Sequence, residues 1–469
     1  MGEIIGAYLM PHPPIIVPDI GKGRELEISD TIDAMNHIAG DIAEKKPDII
    51  ILISPHGALF RDAVAIMGIP ELKGSLEEFG AKQVQIEKKN DLEFAKEIDA
   101  AAWGEGIPAV FLDSDKIKDY KISRKLDHGA VIPLYFIEKA YRDYRLIHVN
   151  YGLLSKIELY TFGEIIASCV EKTHKKAVII ASGDLSHKLT QDAPAGYNKN
   201  GAIFDKTLLD FLEKGDVSGV FSIDDTLTKE AGECGLRSVE MMLGAFEGNK
   251  ISVKTLSYEG PFGVGYGTAV IKPEGKSRER IFKRKIIEII DGKVNILRDK
   301  ESEYVKLARS ALENYVSSRK KINVPSDISP DLKSKKAGVF VSLKKDGELR
   351  GCIGTIEAVE NSIAEEIIRN AIQAGTQDPR FYPVEKNELD KLIYSVDILG
   401  EPEHVENISI LDPKKYGVIV ESGFRKGLLL PNLEGVSTVE EQIDIALNKA
   451  NIRRDEEYTI SRFKVERYK

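Results

Sequence analysis

The feature that most constrains the fold is an alternation of two patterns through the N-terminal half of the chain. Short apolar, β-branched runs are expected to be strands: IIGAYLM, DIIILIS, AVFLD, YRLIHVNYG, KAVIIASGD and YGTAVI. Amphipathic helical patterns lie between several of them, such as ELEISDTIDAMNHIAGDIAEK and TFGEIIASCVEKTHK. Strands that are apolar throughout and are separated by helices are typical of parallel sheets with both faces covered. The sequence therefore predicts an α/β domain with a mostly parallel sheet flanked by helices.

The C-terminal half has a different pattern. ESEYVKLARSALENYV is an amphipathic helix, and AGVFVSLKKDGELRGCIGTI reads as a hairpin with a Lys-Asp-Gly turn. Further strands and helices follow in an order that indicates an α+β domain with antiparallel pairs. Because 469 residues exceed one ordinary core, we predict an α/β domain at 1–272, a polar and basic linker at 273–295 and an α+β domain at 296–469.

Charge and cysteine content narrow the environment. The net charge is −9, so nothing in the balance favours nucleic acid or an anionic membrane. No apolar run is long enough to span a bilayer, and the N-terminal stretch lacks the basic region of a signal peptide. The 3 cysteines are widely spaced, which argues against a disulfide framework and favours a cytoplasmic location.

Histidines follow several predicted strands, where ligands bind in open α/β sheets. His12 lies in PHPP, His56 in SPHG, His128 in LDHG before a helix, and His187 in SGDLSH. The prolines stiffen the loops that hold His12 and His56, as a metal site requires. We therefore predict that His12 and His56 are metal ligands. Asp184 is expected either to orient the SGDLSH loop or the His187 imidazole, or to cap a helix. The remaining histidines of this half are expected to be capping or surface residues: His37, His148 and His174.

A third ligand is expected from KEAGECGLRSVEMMLGAF, where a glycine-containing turn leads into a helix. Glu233 would complete two histidines and a carboxylate, an arrangement that suits Fe(II) with open positions. Cys234 would give a softer set suited to zinc or copper. Alternatively, the acidic residues simply stabilise the first turn of the helix. We favour Glu233 and keep Cys234 open.

The ordered motifs PHPP, SPHG, DHG and SGDLSH resemble the class III extradiol ring-cleavage dioxygenases of the subunit-B type, and the related Memo proteins. The resemblance implies that His12 and His56 bind non-haem Fe(II) together with a glutamate. It implies an acid/base role for His187 and a substrate- or oxygen-holding role for His128. CGLRSVEMML is closer to Memo proteins, in which a cysteine matches Cys234.

In the C-terminal half, LRGCIGT, DPRF, YGVIVE and GLLLP resemble the AMMECR-type domain. An AMMECR-type domain after an extradiol-type domain resembles the arrangement in AmmeMemoRadiSam systems, which implies radical SAM and Memo-type proteins as partners. Cys352 is a candidate nucleophile, although a small strand cysteine is more often structural. Candidates for a polar groove, or alternatively for ordinary surface ion pairs that contribute little, are Arg350, Glu357, Asp378 and Arg380. We expect binding rather than catalysis here.

Three functions follow from these patterns. The leading one is an extradiol-type, iron-dependent oxidoreductase acting on a small molecule such as an aromatic diol. The second is a metal-binding adaptor or modifying protein that works with a radical SAM partner. The third is a zinc hydrolase on the same scaffold. The sequence does not identify the substrate.

Overall fold

A computed structural model of the chain describes residues 1–345, 347–433, 436 and 438–469. The chain divides into two compact units, Met1–Ile290 and Asp291–Lys469. Asp346, in the predicted Lys-Asp-Gly turn, lies outside the described residues. Within the described part of the chain, no helix combines the length and the apolar character needed to cross a bilayer.

The first unit contains eleven strands and ten helices, and an eleventh helix crosses the boundary between the units. The strands are β1 (Glu3–Met10), β2 (Ile49–Ser54), β3 (Val64–Met67), β4 (Glu71–Leu76), β5 (Ala81–Lys89), β6 (Ala109–Leu112), β7 (Lys125–Leu126), β8 (Arg145–Asn150), β9 (Lys176–Ser182), β10 (Asn249–Glu259) and β11 (Tyr266–Lys276). The helices are α1 (Pro18–Gly21), α2 (Ser29–Lys45), α3 (Leu92–Gly104), α4 (Ser114–Asp119), α5 (His128–Ala140), α6 (Lys156–Glu171), α7 (Asn200–Glu213), α8 (Val217–Ser222), α9 (Asp225–Ala231), α10 (Leu236–Gly244) and α11 (Lys283–Asp299).

Eight strands form the main sheet in the order β10-β11-β1-β9-β2-β8-β3-β6. The four central strands, β1, β9, β2 and β8, run parallel to one another. Antiparallel pairs join β11 to β1 and β3 to β8. The predicted mostly parallel α/β fold is confirmed, and the parallel centre brings the carboxyl ends of β1, β9 and β2 to one edge.

Alternate residues of the central strands enter two different cores. Leu9, Ile51 and Ile53 pack on the side of α3, α6 and α10, whereas Met10 and Leu52 pack on the side of α2 and α5. This two-sided burial explains why the strands are apolar throughout. The sequence did not predict β3, a short strand, or the small separate sheet β5-β4-β7, whose strands are short or alternate with polar residues.

The second unit contains two antiparallel sheets, ordered β13-β12-β14-β19 and β15-β18-β16-β17. Its strands are β12 (Val339–Lys345), β13 (Glu348–Gly354), β14 (Leu392–Leu399), β15 (Glu403–His404), β16 (Gly417–Ser422), β17 (Arg425–Leu429), β18 (Thr459–Phe463) and β19 (Val465–Tyr468). Its helices are α12 (Glu303–Ser318), α13 (Pro330–Ser334), α14 (Ile363–Thr376) and α15 (Val439–Ala450). The predicted α+β character is confirmed. The segment predicted as a linker, 273–295, contains the end of β11 and most of α11.

Candidate metal centre

Three histidines from separate stretches converge at the carboxyl edge of the main sheet; we call His12, His56 and His128 the histidine cluster. His12 follows β1, His56 follows β2, and His128 is the first residue of α5. Their ligand nitrogens all lie within 4.8 Å of one another. The His56 and His128 rings are stacked with centroids 4.4 Å apart, and the His12 ring stands edge-on to both.

The hydrogen bonds of Ser182 fix the tautomer of His12. The Ser182 hydroxyl lies 2.5 Å from the Gly129 carbonyl oxygen and 2.9 Å from His12 Nδ1. A carbonyl accepts only, so the single hydroxyl proton goes to Gly129, and Ser182 Oγ accepts from Nδ1–H. His12 Nε2 therefore presents a lone pair towards the centre of the cluster, as a metal ligand must.

Burial keeps these imidazoles neutral. Burial lowers the pKa of His12 well below its usual value, and repulsion from His56 and His128 lowers it further. Burial followed by repulsion from His128 lowers the pKa of His56 to about 4. The pKa of His128 is also lowered by burial. Neutral imidazole is the form that binds metal ions.

The donor set fits a transition-metal ion. His12 Nε2 and His56 Nε2 are 2.9 Å apart. Two imidazole nitrogens about 2.0–2.1 Å from one ion, at right angles, stand about 2.9 Å apart. Neutral imidazoles suit iron, zinc and copper alike, so the cluster supports metal binding without identifying the metal.

The third-ligand candidates lie in the turn between α9 and α10. The Cys234 sulfur is 3.7 Å from His12 Nε2 and 3.8 Å from His187 Nε2. Glu233 is directed elsewhere, because its Oε2 accepts the Leu236 backbone N–H at 2.6 Å, at the start of α10. Burial raises the pKa of the Cys234 thiol well above its usual value and that of Glu233 to about 7. The structure thus places the Cys234 sulfur near His12, whereas the Glu233 carboxylate binds the backbone at the start of α10.

Asp184 and His187 occupy the loop after β9. The Asp184 carboxylate accepts the backbone N–H of His12 at 2.8 Å, and burial raises the pKa of Asp184 to about 7. Asp184 therefore orients the loop of His12. The alternative of a helix cap does not apply, since the next helix along the chain, α7, begins at Asn200. Burial, with repulsion from His56, lowers the pKa of His187.

Sequence reasoning missed the carboxylate behind the cluster. Asp127 precedes His128, and its oxygens lie 2.5 Å from Ser54 Oγ and 3.2 Å from His148 Nε2. Burial would raise the pKa of Asp127, but His148 and Ser54 outweigh it and hold that pKa well below its usual range. The expectation that His148 is a capping or surface residue was wrong, because it is 1% exposed. In the sequence, the position of His148 within the mostly apolar strand β8 could have indicated that it is buried.

In the second unit, the residues predicted as candidates for a polar groove form separate ion pairs. Arg350 binds Glu388 through two hydrogen bonds of 3.0 and 2.9 Å, and Glu357 pairs with Lys426 while remaining 73% exposed in its side chain. Cys352 is half-buried on β13, and its sulfur lies 3.2 Å from Ser342 Oγ. Arg380 binds Asp378 beside Cys352.

The structure is that of a two-unit protein in which the α/β unit carries a histidine cluster that could hold a metal ion. Two family models match the chain: the catalytic LigB subunit of aromatic ring-opening dioxygenase over residues 6–269, and AMMECR1 over residues 305–469. The chain belongs to the LigB family, with an AMMECR1 domain following. The predicted family resemblances are thereby confirmed.

Relatives extend over the whole chain or part of it. Protein CA_C1420 of Clostridium acetobutylicum is 50% identical over 99% of both chains. A Thermotoga maritima protein is 54% identical over 36% of this chain and 98% of its own length. The crystal structure of uncharacterized protein PH0010 from Pyrococcus horikoshii covers 35% of this chain and 88% of its own, at 34% identity and a TM-score of 0.33.

Proposed function

We propose that the first unit is a metal-dependent oxidoreductase of the extradiol type, acting on a small diol such as a catechol. The observation that carries the proposal is the convergence of three histidines with lowered pKa values, of which His12 is fully buried, at the carboxyl edge of the sheet, with His187 beside them. The LigB match supports the same class. In this proposal His12 and His56 hold Fe(II), with Cys234 or Glu233 as the third donor.

Iron bound there would supply Lewis acidity and a place for both reactants to meet. The chain's own residues do the rest. His187 accepts the proton of a substrate hydroxyl, because its lowered pKa keeps the imidazole unprotonated near neutral pH. His128 stacks on His56 and lies beside Phe79, so these rings together would border a planar substrate bound at the cluster.

The test is oxygen uptake by anaerobically iron-loaded protein on a panel of catechols. We expect uptake with at least one catechol and a loss of about 100-fold or more in His187→Ala, the size expected when a general base is removed. His174→Ala, a histidine outside the cluster, is the matched control and should retain the rate. Iron-loaded protein that consumes no oxygen with any catechol would refute the extradiol proposal.

The position of Cys234 favours a second candidate. A thiol 3.7 Å from His12 Nε2 makes a softer donor set than a carboxylate. With Cys234 as a ligand, the first unit would be a zinc- or copper-binding protein that works with a radical SAM partner. With zinc bound, it could alternatively be a hydrolase.

Paired variants separate the two candidates. Metal content after dialysis is compared for Glu233→Gln and Cys234→Ala. Loss of metal only in Cys234→Ala favours the thiol site, and loss only in Glu233→Gln favours the carboxylate site. Activity with zinc in the absence of oxygen uptake would support the hydrolase.

A further inference from the structure

The sheet β13-β12-β14-β19 in the second unit has one apolar and one polar face. Val339, Val341 and Leu343 of β12 point into the core formed with α12 and α14. The strand register places Cys352 opposite Ser342, and Ser342 opposite Ser395, on the other face. We call Cys352, Ser342 and Ser395 the cysteine face. All three are half-buried.

Two buried carboxylates fix arginines beside this face. Asp378, with a side chain 2% exposed, accepts from Nε and Nη2 of Arg380 at 2.9 and 2.7 Å. Asp397, with a side chain 4% exposed, accepts from Nε and Nη2 of Arg467 at 2.7 and 2.8 Å. Each pair uses one edge of the guanidinium and leaves the Nη1 group outside the pair, so a rigid donor remains for another acceptor.

The Arg380 guanidinium is also hydrogen-bonded to β13, the strand that carries Cys352. Its Nη2 donates to the Cys352 carbonyl at 3.3 Å, and Asp378 accepts the Cys352 backbone N–H at 2.8 Å. Half of the Arg380 side chain is nevertheless exposed. The strand carrying the thiol and the cation beside it therefore form one rigid assembly that is open to solvent.

Lys449 of α15 adds a third cation. Its ammonium group lies 3.5 Å from the Leu428 carbonyl oxygen, and in the part of the chain that the structure describes it pairs with no carboxylate. Burial lowers the pKa of Lys449, and Arg380 lowers it further while Cys352 raises it. Leu428, whose carbonyl Lys449 contacts, belongs to an apolar cluster against which Phe340 of β12 packs, two residues before Ser342, so Lys449 lies near the cysteine face. Lys449 has no paired carboxylate among the described residues, and Arg380 keeps Nη1 outside its pair with Asp378, so an anion that contacts both cations would be stabilised.

We propose that the cysteine face is a binding site for a small ligand bearing an oxyanion, either a carboxylate or a phosphate, held by Arg380 and Lys449 with the Cys352 thiol in contact. Arg467 borders the site from β19. Guanidinium groups held by buried carboxylates suit planar or tetrahedral oxyanions, because their donors lose little entropy on binding. Nothing in this proposal depends on the metal centre of the first unit.

The full chain is tested with two alkylating probes that differ in charge, iodoacetate and iodoacetamide. Mass spectrometry of the Cys352 peptide gives both rates, and their ratio cancels the thiol's own pKa. We expect the iodoacetate-to-iodoacetamide ratio at Cys352 to exceed that of glutathione about tenfold, because fixed cations concentrate anions. Lys449→Met should lower the ratio to nearly that of glutathione, whereas Lys449→Arg should retain it.

Protection experiments identify the oxyanion. Inorganic phosphate and acetate are each added at constant ionic strength, with chloride as the reference. Protection by phosphate alone indicates a phosphoryl ligand, and protection by acetate indicates a carboxylate. A ratio equal to that of glutathione, with protection by neither anion, overturns the proposal.

Calorimetry decides the matter if Cys352 reacts with neither probe. Phosphate and acetate are titrated into the unmodified chain, Lys449→Met and His12→Ala. Binding that persists in His12→Ala and is lost in Lys449→Met supports the site. No binding, or equal binding by Lys449→Met, overturns it.

Discussion

The histidine cluster of the first unit keeps its titratable groups neutral, whereas the cysteine face of the second unit is bordered by fixed cations. In the cluster, burial lowers the pKa of each imidazole, and repulsion between imidazoles lowers the pKa of His12 and His56 further. Beside the cysteine face, buried Asp378 and Asp397 keep Arg380 and Arg467 charged and oriented. Burial favours the uncharged form of a lone group, but a buried partner of opposite charge reverses the outcome. One chain thus offers lone pairs at one site and N–H donors at the other.

The largest effect should come from removing a lone pair. We expect His12→Ala to weaken metal binding by at least about 100-fold, because each ligand supplies a sizeable part of the binding free energy of a metal site. The exposed histidine of α2 gives the matched control His37→Ala, which should bind as the unmodified chain does. Competition with a chelator measures both. Equal affinities would show that the cluster does not hold the ion.

The second effect concerns stability at low pH. Burial would raise the pKa of Asp378, but hydrogen bonds from Arg380 and the Cys352 N–H outweigh it and lower that pKa to about 2. The ordinary aspartate pKa is about 3.9, so the charged carboxylate stabilises the fold above about pH 4 and loses this contribution as pH falls towards 2, by about 2 kcal/mol.

Urea unfolding followed between pH 5 and pH 2 tests this contribution. Asp378→Asn should lose that part of the pH dependence, while the exposed control Asp327→Asn should keep it. Identical pH profiles for Asp378→Asn and the unmodified chain would show that the buried carboxylate does not stabilise the second unit through its charge.

A smaller effect is expected from the hydroxyl that sets the tautomer. Ser182→Ala should weaken metal binding about 10-fold, as loss of an outer hydrogen bond to a ligand histidine typically does. Ser218→Ala is a suitable control, because the buried Ser218 hydroxyl has no hydrogen-bond partner among the residues that the structure describes. Metal titration of both variants measures the difference. No change in Ser182→Ala would mean that packing alone orients His12.

The smallest effect is expected at Glu357, which pairs with Lys426 at the surface. Glu357→Gln should change the free energy of unfolding by less than about 0.5 kcal/mol, since exposed ion pairs contribute little. It should also leave the alkylation ratio at Cys352 unchanged. A change in that ratio would extend the cysteine face to residues beyond those assigned here.

The sequence predicted convergence of the histidines because strand ends in a parallel sheet share an edge, a rule that needs only the strand pattern of β1 and β2. It did not predict the hydrogen bonds by which Ser182 links His12 to Gly129, because they depend on the contact of β9 with the start of α5. The choice between Glu233 and Cys234 also escaped it. The turn after Gly232, whose φ of 62° is left-handed, brings Cys234 rather than Glu233 to His12, and the sequence alone does not show how such a turn directs its side chains.

The helix that follows the thiol is held by direct backbone contact. A Cβ on Gly163 of α6 would lie 2.0 Å from the Met241 carbonyl oxygen, and one on Gly244 of α10 would lie 1.9 Å from that of Tyr160. At these two glycines the helices are in backbone contact, which fixes the position of α10. The backbone of Cys234, two residues before α10 begins, is therefore positioned by this contact rather than by its own side chain. If Cys234 holds an ion as proposed, a substitution at that position would change the kind of donor atom while the glycine contacts keep the backbone of the two helices in place.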